Sequence, residues 1–179
     1  MNPDQINPFL ENYQKLVQRV DRHIAAIKKA FPDQIACKKG CDLCCKFLTL
    51  FPVEALSLSL AFTRQAEDIK AKVSLKIERE KDTCPLLINR VCALYPARPI
   101  ICRTHGYPLY MEKKGKIHID FCPENFTGMA LFPKEAMLDI EHLNTLLAVI
   151  NRQFVGSIKA DPPFLDRIPI SEALLILRT

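Results

Sequence analysis

The chain has 179 residues, which suits one compact domain and leaves too little length for two ordinary domains and a linker. Hydrophobic residues make up 49% and charged residues 25% of the chain, a balance that excludes an intrinsically disordered protein and gives no sign of a membrane protein. The net charge of +5 comes without a continuous block of Lys and Arg, so charge alone indicates no partner. We therefore expect a single domain over residues 1–179.

Two helices are predicted around the first group of cysteines. Apolar residues three and four positions apart form the stripe of a long amphipathic helix that Pro32 ends. The stripe consists of Ile6, Phe9, Leu10, Tyr13, Leu16, Val17, Val20, Ile24, Ile27 and Phe31. A second helix is predicted from Pro52 to near Lys81, because proline is tolerated in a first turn and Glu54 suits the positive end of the helix dipole.

The segment from Thr83 to Phe132 has no helical periodicity and is interrupted by five prolines. Alternating residues predict one β-hairpin in it, with a first strand near 107–111 and a second strand at 116–121. We expect one face of the second strand to pack on the core and the other to be aimed at a site. The core face is Ile117, Ile119 and Phe121, and the opposite face is His118, Asp120 and Cys122.

Two further helices are predicted near the end of the chain. Pro133 opens the longer one, and Gly156 stands where a C-cap is expected. Its apolar face consists of Met137, Ile140, Leu143, Leu147, Ile150 and Phe154. A short helix led by Ser171 follows Pro169. The predicted fold class is mainly α, with helices packed around an irregular cysteine-rich metal-binding centre and a small β-hairpin.

Eight cysteines are the unusual feature of the composition, and all of them lie within residues 37–122. They are Cys37, Cys41, Cys44, Cys45, Cys84, Cys92, Cys102 and Cys122. Cys41 and Cys44 form a CxxC pair, which lets two thiolates reach one ion, and Gly40 permits the sharp turn. Thiolates are soft donors that favour zinc, copper(I) or iron-sulfur clusters over magnesium and calcium. All eight cysteines are therefore candidate metal ligands.

Two other interpretations of the cysteines are weaker. Free cysteines acting as small hydrophobic residues are common singly, but eight within so short a segment are not explained by packing. Disulfides would require an oxidising compartment, and the first residues contain no secretory signal pattern, so we expect a reducing cytoplasm. The adjacent pair Cys44 and Cys45 also disfavours disulfides, since a bridge between neighbours is strained.

The cysteine segment also carries a family resemblance. It begins CKKGCDLCCKF at Cys37 and continues with CPLL at Cys84, CALYPARP at Cys92 and CR at Cys102. This pattern resembles the YkgJ-like cysteine-cluster family, the CxxCxxCC zinc- or iron-chelating domain, over residues 37–123. The resemblance implies a domain that holds zinc or iron, often described as an iron-sulfur type protein. A similar cysteine block occurs in flagellin lysine methylases.

The resemblance assigns roles to particular residues. It implies seven ligand candidates, Cys37, Cys41, Cys44, Cys45, Cys84, Cys92 and Cys102, and three supporting residues, Arg98, Pro99 and Arg103. The chain departs from the family pattern once, with three residues instead of two between Cys37 and Cys41. From the residues themselves, we prefer charge compensation and loop packing as the role of Arg98 and Arg103, and a helix N-terminal charge as the role of Glu54.

The spacing leaves the metal open between zinc and iron. Eight cysteines divide naturally into two four-thiolate sites, in which Cys44 and Cys45 would serve different metals or one would be free. The dipeptides Cys84-Pro85 and Cys122-Pro123 are similar to the end of a bacterial ferredoxin motif and favour an iron-sulfur cluster slightly. His105 has CxxH spacing from Cys102, although a loop histidine is the simpler interpretation. His118 is a candidate for contact with a ligand rather than with the metal.

Two functions of different classes follow from these observations. The first is a metal-binding protein whose site stabilises the fold or handles metal or electrons. The second is a metal- or cluster-dependent enzyme for redox or group-transfer chemistry, suggested by the surplus of Cys and His candidates and by the methylase resemblance. A nucleic-acid-binding module is disfavoured, because aromatic residues are 8% of the chain and Trp is absent. The expected partner is a metal ion or cluster, with no membrane partner and with any protein partner unknown.

Overall fold

Six α-helices in the described residues make the computed structural model mainly α, as the sequence predicts. The structure describes residues 7–38, 40–80, 82–129, 131–158 and 166–177. The helices are α1 (Glu11–Ala30), α2 (Pro52–Thr63), α3 (Glu67–Arg79), α4 (Ile100–Thr104), α5 (Ile140–Ser157) and α6 (Ile170–Ala173). The strands are β1 (Thr49–Leu50), β2 (Leu87–Ile88), β3 (Val91–Cys92), β4 (Leu109–Lys113), β5 (Lys116–Asp120), β6 (Leu138–Asp139) and β7 (Ile168–Pro169).

The strands form three small sheets. β4 and β5 are the predicted hairpin, with Tyr110 opposite Ile119, and β6 adds a parallel partner to β4. β2 and β3 form a second, unpredicted hairpin with Leu87 opposite Cys92. β1 pairs antiparallel with β7, which brings the C-terminal segment to the start of α2. Among the helices described here, none has the length and apolar character needed to cross a bilayer.

Helix α2 lies between two hydrophobic clusters. Val53, Leu56 and Leu60 pack into the first, which is built mainly from α1 and α5. Leu58 and Phe62 pack into the second, which also contains Cys84. A helix that is covered on both sides has no need for a charged face, which explains why the segment ALSLSLAF has six apolar residues, two serines and no charged residue. Helix α2 thereby connects the cysteine-rich part of the chain to the long helices.

Helix α1 agrees with its prediction more closely than the second predicted helix does. α1 ends just before Pro32 and buries five residues of its stripe: Tyr13, Leu16, Val20, Ile24 and Ile27. Ile6 lies outside the described residues, and Phe9 is exposed. The second predicted helix is wrong as one element, because Arg64 to Ala66 separate α2 from α3. Ala66 is extended, and Glu67 and Asp68 begin α3 with charges that suit its dipole. The predicted end at Lys81 lies outside the described residues.

The third predicted helix begins later than expected. Residues 134–136 form one 3-10 turn, residues 138–139 form β6, and α5 starts only at Ile140. The N-cap is Asp139, whose carboxylate accepts the N–H of His142 at 2.8 Å, a stronger start signal than Pro133. Gly156 lies inside α5 and is not a C-cap. The short helix after Pro169 is confirmed as α6.

The predicted inner face of β5 is only partly correct. Ile117 is 68% exposed, whereas Ile119 and Phe121 are partly buried. Strand β5 is at the edge of its sheet, and Ile117 lies near the hairpin turn, beyond the reach of the core. Alternation identifies the residues that share a face, but it does not show how far the core extends along that face.

We expect Asp139→Ala to destabilise the protein by about 1 kcal/mol, the usual cost of losing an N-cap. Its carboxylate accepts the N–H of His142 at one oxygen and the hydroxyl of Tyr110 at the other, at 2.7 Å. The change in the urea unfolding midpoint measures this cost. Glu141→Gln, which removes a charge from the same turn but no cap, is the control. Equal midpoints for the two variants would contradict the capping role.

Candidate metal centre

A tight turn presents the first cysteines. The N–H of Cys41 donates to the carbonyl of Lys38 at 3.0 Å, and the N–H of Cys45 donates to the carbonyl of Asp42 at 2.9 Å. Gly40 has a φ of +93°, which L side chains rarely adopt. Arg90 clamps the turn, because its guanidinium donates to both carboxylate oxygens of Asp42 at 3.1 Å. The turn thus places Cys41, Cys44 and Cys45 close together.

The β2–β3 hairpin presents the next two cysteines. Its two-residue turn has positive φ at Asn89 and Arg90, the conformation that matches the twist of tight hairpins. Cys92 then lies opposite Leu87, whose N–H donates to the carbonyl of Cys84 at 3.1 Å. An Asn between two short apolar pairs was the sequence signal for this turn. The hairpin brings Cys84 and Cys92 to one side of the site.

Cys102 lies on α4, and buried polar contacts hold that helix in place. Glu54 is 3% exposed, and its carboxylate accepts the N–H of Ile100 at 3.0 Å and the N–H of Phe51 at 3.3 Å. It therefore joins the first turns of α2 and α4. The helix N-terminal role expected for Glu54 is confirmed. Burial raises the pKa of Glu54, an effect that the two N–H donors oppose.

Arg103 has the packing role expected for it. Its guanidinium contacts both carboxylate oxygens of Asp21, at 2.8 and 2.7 Å, and donates to the carbonyls of Arg98 and Pro96. The side chain is 7% exposed. These contacts join α4 and the 3-10 turn at 95–97 to α1.

Six of the eight cysteines line one cavity, called here the first cavity, which has an empty volume of about 720 Å³ including its opening to solvent. They are Cys41, Cys44, Cys45, Cys84, Cys92 and Cys102. Lys38, Lys46, Arg90 and Arg98 also line it. The Arg98 guanidinium lies 3.5 Å from the centre of the Tyr95 ring and donates to the carbonyl of Cys102 at 3.3 Å. The predicted cysteines are thus brought together beside positive charge.

The other two cysteines, Cys37 and Cys122, lie next to Gly106. Cys122 lines a second cavity together with Cys44 and His105. A Cβ at Gly106 would lie 3.2 Å from the sulfur of Cys37 and 3.6 Å from the Cβ of Cys122, so both cysteines flank the same glycine. Cys44 lines both cavities. The two groups of cysteines are therefore neighbours.

Asn125 organises this second region. It is fully buried, and its amide nitrogen donates to the carbonyl of Gly106 at 2.7 Å and to the sulfur of Cys37 at 3.2 Å. Its amide oxygen accepts the N–H of Ala36 at 2.9 Å. Sequence reasoning missed Asn125, and its position three residues after Cys122 was the available signal.

The thiols are electrostatically coupled. Burial raises the pKa of Cys84 to about 11 and that of Cys102 to about 12, and it also raises the pKa of Cys92. The thiol of Cys44 donates a hydrogen bond to Cys45, which raises the pKa of Cys44 and lowers that of Cys45. Thiols that are protonated at neutral pH must lose their protons before they bind metal.

The side chains are not arranged as a finished metal site. Within the described ranges, no three His, Cys, Asp or Glu side chains are placed so that they could hold one ion as they stand. The donor set nevertheless fits a soft metal, because all eight cysteines are free thiols and six line one cavity. Binding would require the side chains to turn toward a common centre. The assignment of the eight cysteines as ligands therefore remains a prediction.

The histidines differ in whether they line one of the two cavities. His105 is exposed at the end of α4 and lines the second cavity. His118 is exposed on β5 and is absent from the residues that line either cavity. His23 and His142 are exposed helical residues. Asp120 and Cys122 of the predicted face line the second cavity, whereas His118 of that face does not.

Comparison with known proteins gives one family. The family CxxCxxCC, described as "Putative zinc- or iron-chelating domain", matches residues 36–123, about half of the chain. This match confirms the family resemblance. Neither the curated proteins nor the solved structures gave a match to the chain.

Proposed function

Since the chain belongs to the CxxCxxCC family through residues 36–123, we propose that it binds zinc or iron through the thiolates of its cysteine cluster. The observation that carries the proposal is the convergence of six cysteines on one cavity. Cys84 is buried in the second hydrophobic cluster, and Cys45 and Cys92 pack against it. Cys41, Cys44 and Cys102 belong to neither cluster, so hydrophobic packing does not account for the convergence of all six. Soft thiolate donors in such numbers favour zinc or iron-sulfur chemistry.

The charges around the first cavity support thiolate ligation. One divalent zinc bound by four thiolates carries two net negative charges. Lys38, Lys46, Arg90 and Arg98 line the cavity, and nearby cations stabilise thiolates. Arg98 is also held against Cys102 by its hydrogen bond to that residue's carbonyl. The cations would offset the charge of a bound site.

We propose a structural role for the metal in the first instance. The strands between residues 84 and 92 are two residues long, and α4 has five residues, so few regular hydrogen bonds order this part of the chain. Ordering a residue costs about 1–2 kcal/mol of backbone entropy, and a shared metal offsets that cost. The bound metal would supply bonds between distant elements. A redox role for an iron-sulfur cluster is part of the proposal if the metal is iron.

Metal affinity is expected to fall as the pH is lowered from about 8 to about 6. Burial holds the pKa of Cys84 and Cys102 far above neutrality, so protons compete with metal for these sulfurs, and more strongly at lower pH. Competition against a chromogenic zinc chelator at constant ionic strength measures the affinity, and proton release on zinc addition gives a second measurement. A pH-independent affinity with no proton release would contradict thiol ligation.

Purification without oxygen, followed by elemental analysis and a visible spectrum, tests the proposed function. Zinc would give a colourless protein, and an iron-sulfur cluster would give visible absorption that reduction bleaches. A colourless protein that contains zinc would support the structural role and not the redox role. Less than one metal per chain in a folded protein would overturn the proposal.

An enzyme is the second candidate, favoured by the shape of the first cavity. Its volume of about 720 Å³ includes an opening to solvent, and Tyr95 at its edge is 49% exposed. The stacked Arg98 there could bind an anionic substrate. Titration of the metal-loaded protein with small carboxylates and phosphates, followed by the metal spectrum, tests this candidate. A spectral shift that Arg98→Ala removes would support it, and an unchanged spectrum would count against it.

A further inference from the structure

The cysteines gather in two places next to the turn at residues 41–45, namely the first cavity and the surroundings of Gly106. In the first group, Cys92 lies on the β2–β3 hairpin and Cys84 lies in the loop that precedes β2, and both line the first cavity. Cys102 on α4 and Cys45 on the turn face the same cavity. These four cysteines thus surround one region.

The second group gathers around Gly106 and Asn125. Cys37 and Cys122 flank Gly106, and Asn125 donates to the sulfur of Cys37 at 3.2 Å. Cys122 lines the second cavity together with Cys44, and Cys41 forms a CxxC pair with Cys44, a spacing that lets two thiolates reach one ion. None of them belongs to the group around the hairpin.

The adjacent pair Cys44 and Cys45 marks the boundary. Cys44 lines both cavities, whereas Cys45 lines only the first. The pair is close enough for one thiol to donate to the other. Two neighbouring side chains bind one ion only with strain, but they can bind two ions that lie on either side of the backbone. Cys41 also lines the first cavity. Any other division of the cysteines between two centres would therefore differ in where it assigns the cysteines of this turn.

We infer that the chain holds two separate metal centres, each with four thiolate ligands, on either side of the turn. The first centre is bound by Cys45, Cys84, Cys92 and Cys102. The second centre is bound by Cys37, Cys41, Cys44 and Cys122. This inference rests on the proposed function and goes further, because it states the number of centres and the ligands of each.

The division gives Asn125 a role as well. Its amide N–H groups point at the sulfur of Cys37 and at the carbonyl of Gly106, so it positions a ligand of the second centre only. Hydrogen bonds to a ligand sulfur adjust the properties of the metal. Asn125 therefore belongs to the second centre as a positioning residue, while Arg98, which lines the first cavity, belongs to the first.

Serine variants with zinc alone as the probe test the division. The pairs are Cys84→Ser with Cys92→Ser, Cys37→Ser with Cys122→Ser, and Cys84→Ser with Cys122→Ser as the mixed pair. Reduced protein is loaded with zinc, passed over a moderate chelator and analysed for metal. We expect two zinc ions in the wild type, half of that in each of the first two variants, and complete loss in the mixed variant.

Other outcomes separate this inference from the proposed function. One zinc in the wild type, lost in all three variants, would overturn the division and leave the proposed function intact. Two zinc ions in the wild type with one retained by the mixed variant would show a different division. Less than one zinc in the wild type would overturn the proposed function itself.

Partial loading of the wild type keeps the test valid if a variant does not fold. With one equivalent of zinc, alkylation followed by mass spectrometry shows which cysteines are protected. We expect protection to appear in one or both of the stated sets of four, with Cys44 and Cys45 protected in different species. Joint protection of Cys44 and Cys45 in a species that holds a single zinc would overturn the division.

Discussion

Removing the metal from the purified protein is expected to unfold the cysteine-rich segment. The binding free energy of a structural zinc is about 10–16 kcal/mol in small zinc-binding peptides, and a whole domain has a net stability of only about 5–15 kcal/mol. Cys92 and Cys102 lie on short elements, and Cys84 lies in the loop before β2, so few regular hydrogen bonds hold these residues once the metal is removed. Urea unfolding with and without a chelator, in reducing buffer, measures the loss.

Metal addition provides the control for this prediction. Zinc or iron returned to the stripped protein should restore the original unfolding midpoint, whereas magnesium should not, because thiolates are poor ligands for it. The chelator itself should not shift the midpoint of a protein that holds no metal. An unchanged midpoint after metal loss has been verified by elemental analysis would contradict a structural role.

Substituting Glu54 with alanine is expected to give a large loss of stability. Two backbone N–H groups, of Phe51 and Ile100, donate to its carboxylate, and Glu54 is 3% exposed. Each buried donor that loses its partner costs about 1–3 kcal/mol. We expect Glu54→Ala to lower the free energy of unfolding by about 2–5 kcal/mol, measured by urea denaturation of the metal-loaded protein.

The matched control for Glu54 is Glu78→Ala, which removes an exposed carboxylate from α3. It should leave the midpoint nearly unchanged, since exposed substitutions usually have small effects. Glu54→Gln should cost less than Glu54→Ala, because the amide oxygen still accepts one N–H. If Glu54→Ala unfolds at the same urea concentration as the control, the two N–H groups do not depend on this carboxylate.

The sequence predicted the helices best where one face packs on a core. Helix α1 shows this, because the spacing of its apolar residues located the helix and Pro32 marked where it ends. The sequence-based prediction was wrong between α2 and α3, which it joined into one helix. Helix α2 is buried on both sides, so its apolar residues give no periodic signal that marks its end. Helix α5 begins after its N-cap Asp139, whereas the preference of proline for a first turn had predicted a start at Pro133.

The candidate site was predictable in composition but not in arrangement. Cysteine type and spacing identified the donor atoms, and the family match confirms that segment. The hairpin that joins Cys84 to Cys92 was missed, because its strands are two residues long and give no alternation to read. Asn125 was missed because its contacts to Cys37 and Gly106 are made across the fold. Spacing along the chain cannot show such contacts.

The metal content of protein purified without oxygen tests the central claim most directly. Elemental analysis of the wild type, normalised to protein concentration by amino-acid analysis, should give at least one zinc or iron per chain. That content should survive dialysis against a weak chelator and disappear when all eight cysteines are replaced by serine. A folded wild-type protein with less than one metal per chain would contradict the account.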